Sequence, residues 1–186
     1  MQAAGFVLVG GRSSRMGWDK ALLPLRSGLL IEEIAAKVSA AAGTAALVGG
    51  SDRYRNLGFD CFPDPRPGMG PLGGIEAALE SGRGELNLIV ACDMPGLEID
   101  WLWRLLLKAR QTDALCVASS ERSGVLHPLC AVYRSGCLPA VRKALDQGRL
   151  RLMDLLGELN ATALESSTAM WNINTPQEWA AWEQAH

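Results

Sequence analysis

Three cations, Arg12, Arg15 and Lys20, stand within nine positions, interleaved with Gly10, Gly11, Ser13, Ser14 and Gly17. Glycine lets a ligand approach backbone N–H groups closely. Cations at this spacing neutralise a polyphosphate. The stretch follows Phe6-Val7-Leu8-Val9, an apolar run that predicts a buried parallel strand. Open α/β sheets bind ligands at the C-terminal ends of their strands, so the loop reads as a phosphate cradle rather than a solvated turn. It is not a Walker A loop, because Gly17 is followed by Trp18-Asp19-Lys20. Gly10-Gly11-Arg12 does not supply a dinucleotide fingerprint either.

The next candidate is Asp93. It follows Leu86–Ala91, the most apolar predicted strand and therefore the expected centre of a sheet. A carboxylate at such a strand tip suits Mg²⁺, a hard cation that prefers oxygen. Asp100 is the better expected N-cap for the helix predicted over Ile99–Ala109, which leaves Asp93 free. Gly49-Gly50-Ser51-Asp52 ends a second predicted strand, Thr44–Val48. Asp64 opens a loop punctuated by Pro63, Pro65, Pro67 and Pro71 with Gly68, Gly70, Gly73 and Gly74. Pro71 suits a first helical position, so a helix N-terminus there offers N–H groups to an anion. Near the end of the chain, Asn172 and Asn174 flank Ile173 on an extended segment. Two amides on one side can read a heterocycle edge, or simply bond to loop backbone.

These residues need a scaffold. Helical periods predict Leu29–Ala41, capped by Gly43, then Leu138–Leu145 and Leu152–Leu156. Shorter apolar runs predict strands at Phe59–Phe62, Ala114–Ala118, Cys130–Tyr133 and Thr162–Leu164. Thr175, Pro176 and Glu178 form a capping box for a terminal helix to about Gln184. Trp101, Leu105 and Leu106 are expected to pack while Trp103 is partly exposed, and Arg142 and Lys143 read as a solvated face. Strands alternating with helices give an α/β fold with a mainly parallel sheet, as one domain over residues 1–186.

Composition excludes several functions. The net charge of −2 points to no nucleic acid and no anionic membrane. No apolar run is long enough to span a bilayer, and the N-terminus MQAAGFVLVGG lacks a basic leader, so the expected location is the cytoplasm. The five cysteines show no C-x-x-C and read as small hydrophobes. With two histidines, His127 and His186, a zinc site or a Ser-His-Asp triad is not expected.

Taken together, LVGGRSSRMGWDKALL, GPLGGIEAAL, ACDMPGL, HPLCAVY and NINTPQEW resemble the molybdenum cofactor guanylyltransferase family, in the family's order and over nearly the whole chain. The first piece is shared with cytidylyltransferase and sugar-phosphate relatives; the GPLGGI, DMP and NINTP pieces together are more specific. The resemblance implies a three-layer Rossmann-like nucleotidyltransferase fold that joins GTP to molybdopterin with Mg²⁺ as cofactor. It implies nucleotide contacts at Leu8, Val9, Gly10, Gly11, Ser13, Lys20, Gly49, Asp64 and Asp93. It assigns catalysis to Arg15, Lys20 and Asp93, the metal to Asp93, and the pterin to Gly73, Asn172 and Asn174. It also implies transient contact with a molybdenum-insertion protein or a recipient molybdoenzyme. Where the family usually has alanine, this chain has Val9, a larger side chain expected against the base. Where the family often has asparagine, it has Gly49-Gly50. Two other readings stay open: CTP on the same pterin or a nucleotide on a sugar phosphate, and a non-catalytic nucleotide-binding module.

Overall fold

The computed structural model describes residues 1–9, 19–26, 28–166 and 172–185. Strand β1 (Ala3–Leu8) leads towards the first loop. A two-stranded ribbon follows, β2 (Pro24–Leu25) with β3 (Gly28–Leu29), and feeds α1 (Leu30–Ala42). Next come β4 (Ala45–Val48), a four-residue helix α2 (Ser51–Tyr54), β5 (Asp60–Phe62), α3 (Pro71–Glu80), β6 (Leu86–Ala91) and α4 (Ile99–Arg110). The chain continues through β7 (Cys116–Ser120), β8 (Leu126–Arg134), α5 (Leu138–Asp146), α6 (Leu152–Glu158), β9 (Thr162–Glu165) and α7 (Pro176–Ala185).

The main sheet runs β5-β4-β1-β6-β8-β7-β9, so β6 holds the centre as its apolar run predicts. β1, β4, β5 and β6 are mutually parallel. β8 alone runs against its neighbours β6 and β7, a reversal the alternation of elements does not reveal. Side chains alternate across β1 with period two. Val7 and Val9 enter the core beneath α1 and α4, while Phe6 and Leu8 enter the core beneath α3, α5 and α6. That split makes three layers, and each fully buried aliphatic side chain contributes about 1.5–3 kcal/mol.

Local signals decide the element ends. Gly43 takes φ +83° and closes α1 in the left-handed region. Thr175 and Glu178 build the expected capping box: the Glu178 N–H donates to Thr175 Oγ1 at 3.2 Å, and Glu178 Oε2 accepts from the Thr175 N–H at 2.9 Å. Pro71 stands at the first position of α3. Other expectations are corrected. Asp100 does not cap α4; Glu98 occupies that position without a side-chain bond, and Asp100 sits in the first turn, where it favours the helix dipole. Arg142 is not merely solvated, because it forms ion pairs with Glu80 and the buried Glu76 across the α5–α3 contact. β7 lies two residues later than predicted, and β8 is far longer than Cys130–Tyr133. Trp103 is 58% exposed while Trp101 is buried, as the helical period requires.

Candidate functional site

The shared direction of β1, β4, β5 and β6 brings their C-terminal ends to one edge. Backbone bonds there extend the ladders past the strands. The Val9 N–H donates to Val48 O at 2.9 Å, the Gly49 N–H to Phe62 O at 2.9 Å, and the Cys92 N–H to Leu8 O at 3.2 Å. The residues after β1, β4, β5 and β6 are thereby stapled side by side. Gly49 permits the closest approach: it has φ +92°, and a Cβ there would lie 2.2 Å from Val9 O. Gly49 is required by backbone crowding, a stronger reason than the absence of an amide side chain. The expectation that Val9 reaches a base is corrected, because its side chain is 4% exposed and packs into the core. Leu8 is likewise buried and packs over Gly74 on the opposite face of the sheet, so this pair turns its main chain, not its side chains, to the edge. Gly10, Gly11, Ser13 and Arg15 lie outside the described residues.

Asp19 is an anchor that sequence reasoning missed. Asp19 Oδ2 accepts from Tyr54 Oη and from Arg53 Nη1, both at 2.7 Å, and Asp19 Oδ1 accepts from the Ala21 N–H at 3.2 Å. Burial pushes the Asp19 carboxyl up, but the bonds from Tyr54, Arg53 and Ala21 outweigh it and hold the group below the usual carboxylate range. Tyr54 is wholly buried, and its hydroxyl is pushed well up by burial and by the neighbouring Asp19. The clamp joins the segment after β4 to the residue preceding Lys20. The available signal was the Asp-Lys pair itself, together with an aromatic residue ending the short SDRY segment.

Lys20 then points at two groups. Its Nζ donates to Asn174 Oδ1 at 2.8 Å and lies 4.0 Å from Asp93 Oδ2. The C-terminal segment is docked on the same place: the Ile173 N–H donates to Asp93 O at 2.9 Å, and the Ile173 side chain is buried between exposed Asn172 and Asn174. Glu178 fixes this arrangement, accepting from the Asn174 N–H at 2.6 Å. The Asn174 and Thr175 amides hold the Glu178 carboxyl below its usual range, with the Lys20 charge assisting. Two groups of residues expected as separate halves of a site therefore meet, and Asn174 is where they join.

Burial raises the Asp93 carboxyl above the usual range, against the pull of Lys20. A half-buried carboxylate whose one charge partner, Lys20, stands 4.0 Å away keeps oxygen lone pairs for a cation. Among the described residues no group of three or more His, Cys, Asp or Glu could enclose a metal. Asp93 fits the kind of site in which one carboxylate holds Mg²⁺ and substrate phosphates complete the shell. The neighbouring Cys92 thiol is pushed up to about 12 by burial and by Asp93, so it offers no thiolate nucleophile.

Asp64 sits at the exit of β5. Its Oδ1 accepts from the Arg66 N–H at 2.8 Å. It lies against Gly73, where an added Cβ would stand 2.6 Å from that same oxygen. The N-cap of α3 beside it is Gly70, which has no side chain to bond the first turn. The structure thus brings Asp64 and Gly73 together, and separately gathers Lys20, Asp93 and Asn174. Elsewhere, His127 Nε2 pairs with Glu121 Oε1 at 3.1 Å.

The MobA-like NTP transferase domain model matches residues 5–162. A probable molybdenum cofactor guanylyltransferase of Pelotomaculum thermopropionicum is 34% identical over 188 residues, covering 96% of this chain and 90% of that one. One of Carboxydothermus hydrogenoformans is 33% identical over 182 residues, covering 93% and 91%. The molybdopterin-guanine dinucleotide biosynthesis protein A of Archaeoglobus fulgidus superimposes with a TM-score of 0.84 at 23% identity, covering 98% of this chain and 97% of that one, and so shares the fold. Family match and identity over nearly the full length agree: this chain belongs to the MobA-like NTP transferase family and is a nucleotidyltransferase.

Proposed function

We propose that the protein transfers GMP from GTP to the terminal phosphate of molybdenum-loaded molybdopterin. An acceptor phosphate oxygen forms the new bond to the α-phosphorus, and the bond from that phosphorus to the departing pyrophosphate breaks. The observation that carries this reading is the meeting of Lys20, Asp93 and Asn174. One cation, one carboxylate and one amide converge where strand ends and the C-terminal segment meet.

Each residue has a task. The Lys20 ammonium offsets charge on the triphosphate and on the pyrophosphate as it leaves, and Asp19 fixes the backbone from which Lys20 extends. Arg15 adds a second positive charge from the first loop, whose Gly10, Gly11 and Ser13 amides cradle phosphates. Leu8, Val9 and Gly49 present their main chain to the nucleotide, and Asp64 contacts the nucleoside. Gly73, Asn172 and Asn174 receive the pterin, with Asn174 also orienting Lys20. Asp93 would hold Mg²⁺, which would supply positive charge to offset that of the triphosphate. No side chain need act as a nucleophile, because positioning and neutralisation suffice for this transfer. The chain acts as one domain in the cytoplasm and meets a molybdenum-insertion protein or a recipient molybdoenzyme transiently. Among the described residues no helix is long and apolar enough to cross a membrane.

The test is incubation with molybdenum-loaded pterin, Mg²⁺ and each nucleoside triphosphate in turn, followed by mass analysis. Guanylylated pterin and pyrophosphate are expected, with calorimetry favouring GTP over ATP and CTP. A cytidylylated product would move the protein to a sister activity. Equal affinity for all three nucleotides would sink the claim of GTP selectivity.

A further inference from the structure

The loop between β5 and α3 has few backbone donors of its own. Pro63, Pro65 and Pro67 lack N–H donors, and Gly68 and Gly70 take φ of +89° and +66°. Arg66, between two of these prolines, is tied down at both its side chain and its main chain. Arg66 Nε donates to Glu76 Oε2 at 2.8 Å and Nη2 donates to Glu76 Oε1 at 3.2 Å, a two-pronged grip on a side chain only 3% exposed. Its third arm, Nη1, donates to Asp146 Oδ1 on α5 at 2.6 Å. A carboxylate as buried as Glu76 requires such partners. Arg142 Nε, 3.5 Å from Glu76 Oε1, is the more distant of the two guanidinium groups. At the main chain, the Arg66 N–H is the donor held by Asp64 Oδ1, and Arg66 O accepts from the Met69 N–H at 3.1 Å.

We infer that Arg66 is a positioning residue for the nucleotide: by clasping Glu76 and Asp146 it fixes the backbone amide that holds Asp64 against Gly73. This rests on the reading of Asp64 as a GTP contact. The clasp spans the loop, α3 and α5, so it transmits the rigidity of two packed helices to one carboxylate. Lysine cannot replace it, because an ammonium makes a point contact where the guanidinium makes a fork.

The test uses the full chain with Arg66→Ala, Arg66→Lys, Asp64→Ala and the double variant Asp64→Ala/Arg66→Ala. Amide exchange over residues 64–70 is read without ligand, and GTP–Mg²⁺ affinity by calorimetry well below the melting temperature. In Arg66→Ala the exchange should accelerate, and GTP affinity should fall about 10-fold, the scale of one charge-assisted contact. Arg66→Lys should lie between that variant and wild type. Because Arg66 acts through Asp64, the double variant should bind GTP no worse than Asp64→Ala alone. Unchanged exchange overturns the clasp. Faster exchange with unchanged GTP affinity reduces Arg66 to a structural role and overturns the inference. Additive losses in the double variant overturn the route through Asp64. If the wild type binds no GTP, the proposed function falls, while faster exchange still upholds Arg66 as the holder of Asp64.

Discussion

Replacing Tyr54 by phenylalanine deletes one oxygen from a wholly buried ring and leaves the packing shape intact. What is lost is the 2.7 Å hydrogen bond to Asp19 Oδ2. A bond to a charged group is worth roughly 1.5–3 kcal/mol. Asp19 keeps Arg53 and the Ala21 N–H, so it is not orphaned and the lower end applies, about 1.5 kcal/mol. For a chain of this size each kcal/mol moves the melting temperature by about 2–4 °C, so the variant should melt about 3–6 °C lower at pH 7. The pH dependence has a definite sign. The folded Asp19 carboxyl lies below its ordinary value of 3.8, so its contribution is complete above that value and is lost as pH falls through the folded pKa. Removing the Tyr54 donor moves the folded carboxyl back up. The gap between wild type and variant should therefore narrow as pH drops below the ordinary carboxylate range. Thermal melts from pH 7 to pH 3 read this directly. An unchanged melting temperature at pH 7, or a gap constant across the series, would refute the claim that a charged Asp19 anchors the residue before Lys20.

The remaining predictions concern the reacting groups. Asp93→Asn should abolish turnover and leave the melting temperature equal or higher, since a neutral amide escapes the burial that raises the Asp93 carboxyl; near-normal activity at saturating Mg²⁺ would remove Asp93 from the metal site. Lys20→Ala should lower turnover about 10²-fold even at saturating GTP; a change confined to KM would mean that Lys20 binds substrate and transition state alike. Asn174→Ala should weaken both GTP and pterin, each about 5-fold, because its amide holds Lys20. Asn172→Ala should weaken the pterin alone. Titrations in which Asn174→Ala leaves GTP binding untouched would separate the two halves again.

Several features of this protein are written locally in its residues. The apolar run Leu86–Ala91 marks the central strand, Pro71 marks the start of α3, and Thr175 with Glu178 marks the start of α7. Each depends on neighbours a few positions apart, through periodicity, fixed φ or capping, so each survives in one dimension. The strand ends carrying Gly49, Asp64 and Asp93 were legible for the same reason: a parallel sheet sends its loops to one edge. Tertiary structure decided which of these groups touch. Lys20 and Asn174 lie 154 positions apart, Arg66 and Asp146 lie 80 apart, and no local pattern pairs them. Tertiary packing also turned Val9 into the core, set Asp19 under Tyr54 and put β8 antiparallel between β6 and β7. A side chain's type states which bonds it can make, whereas its partner is fixed only when the sheet order and the packed helices bring distant segments within a few ångströms.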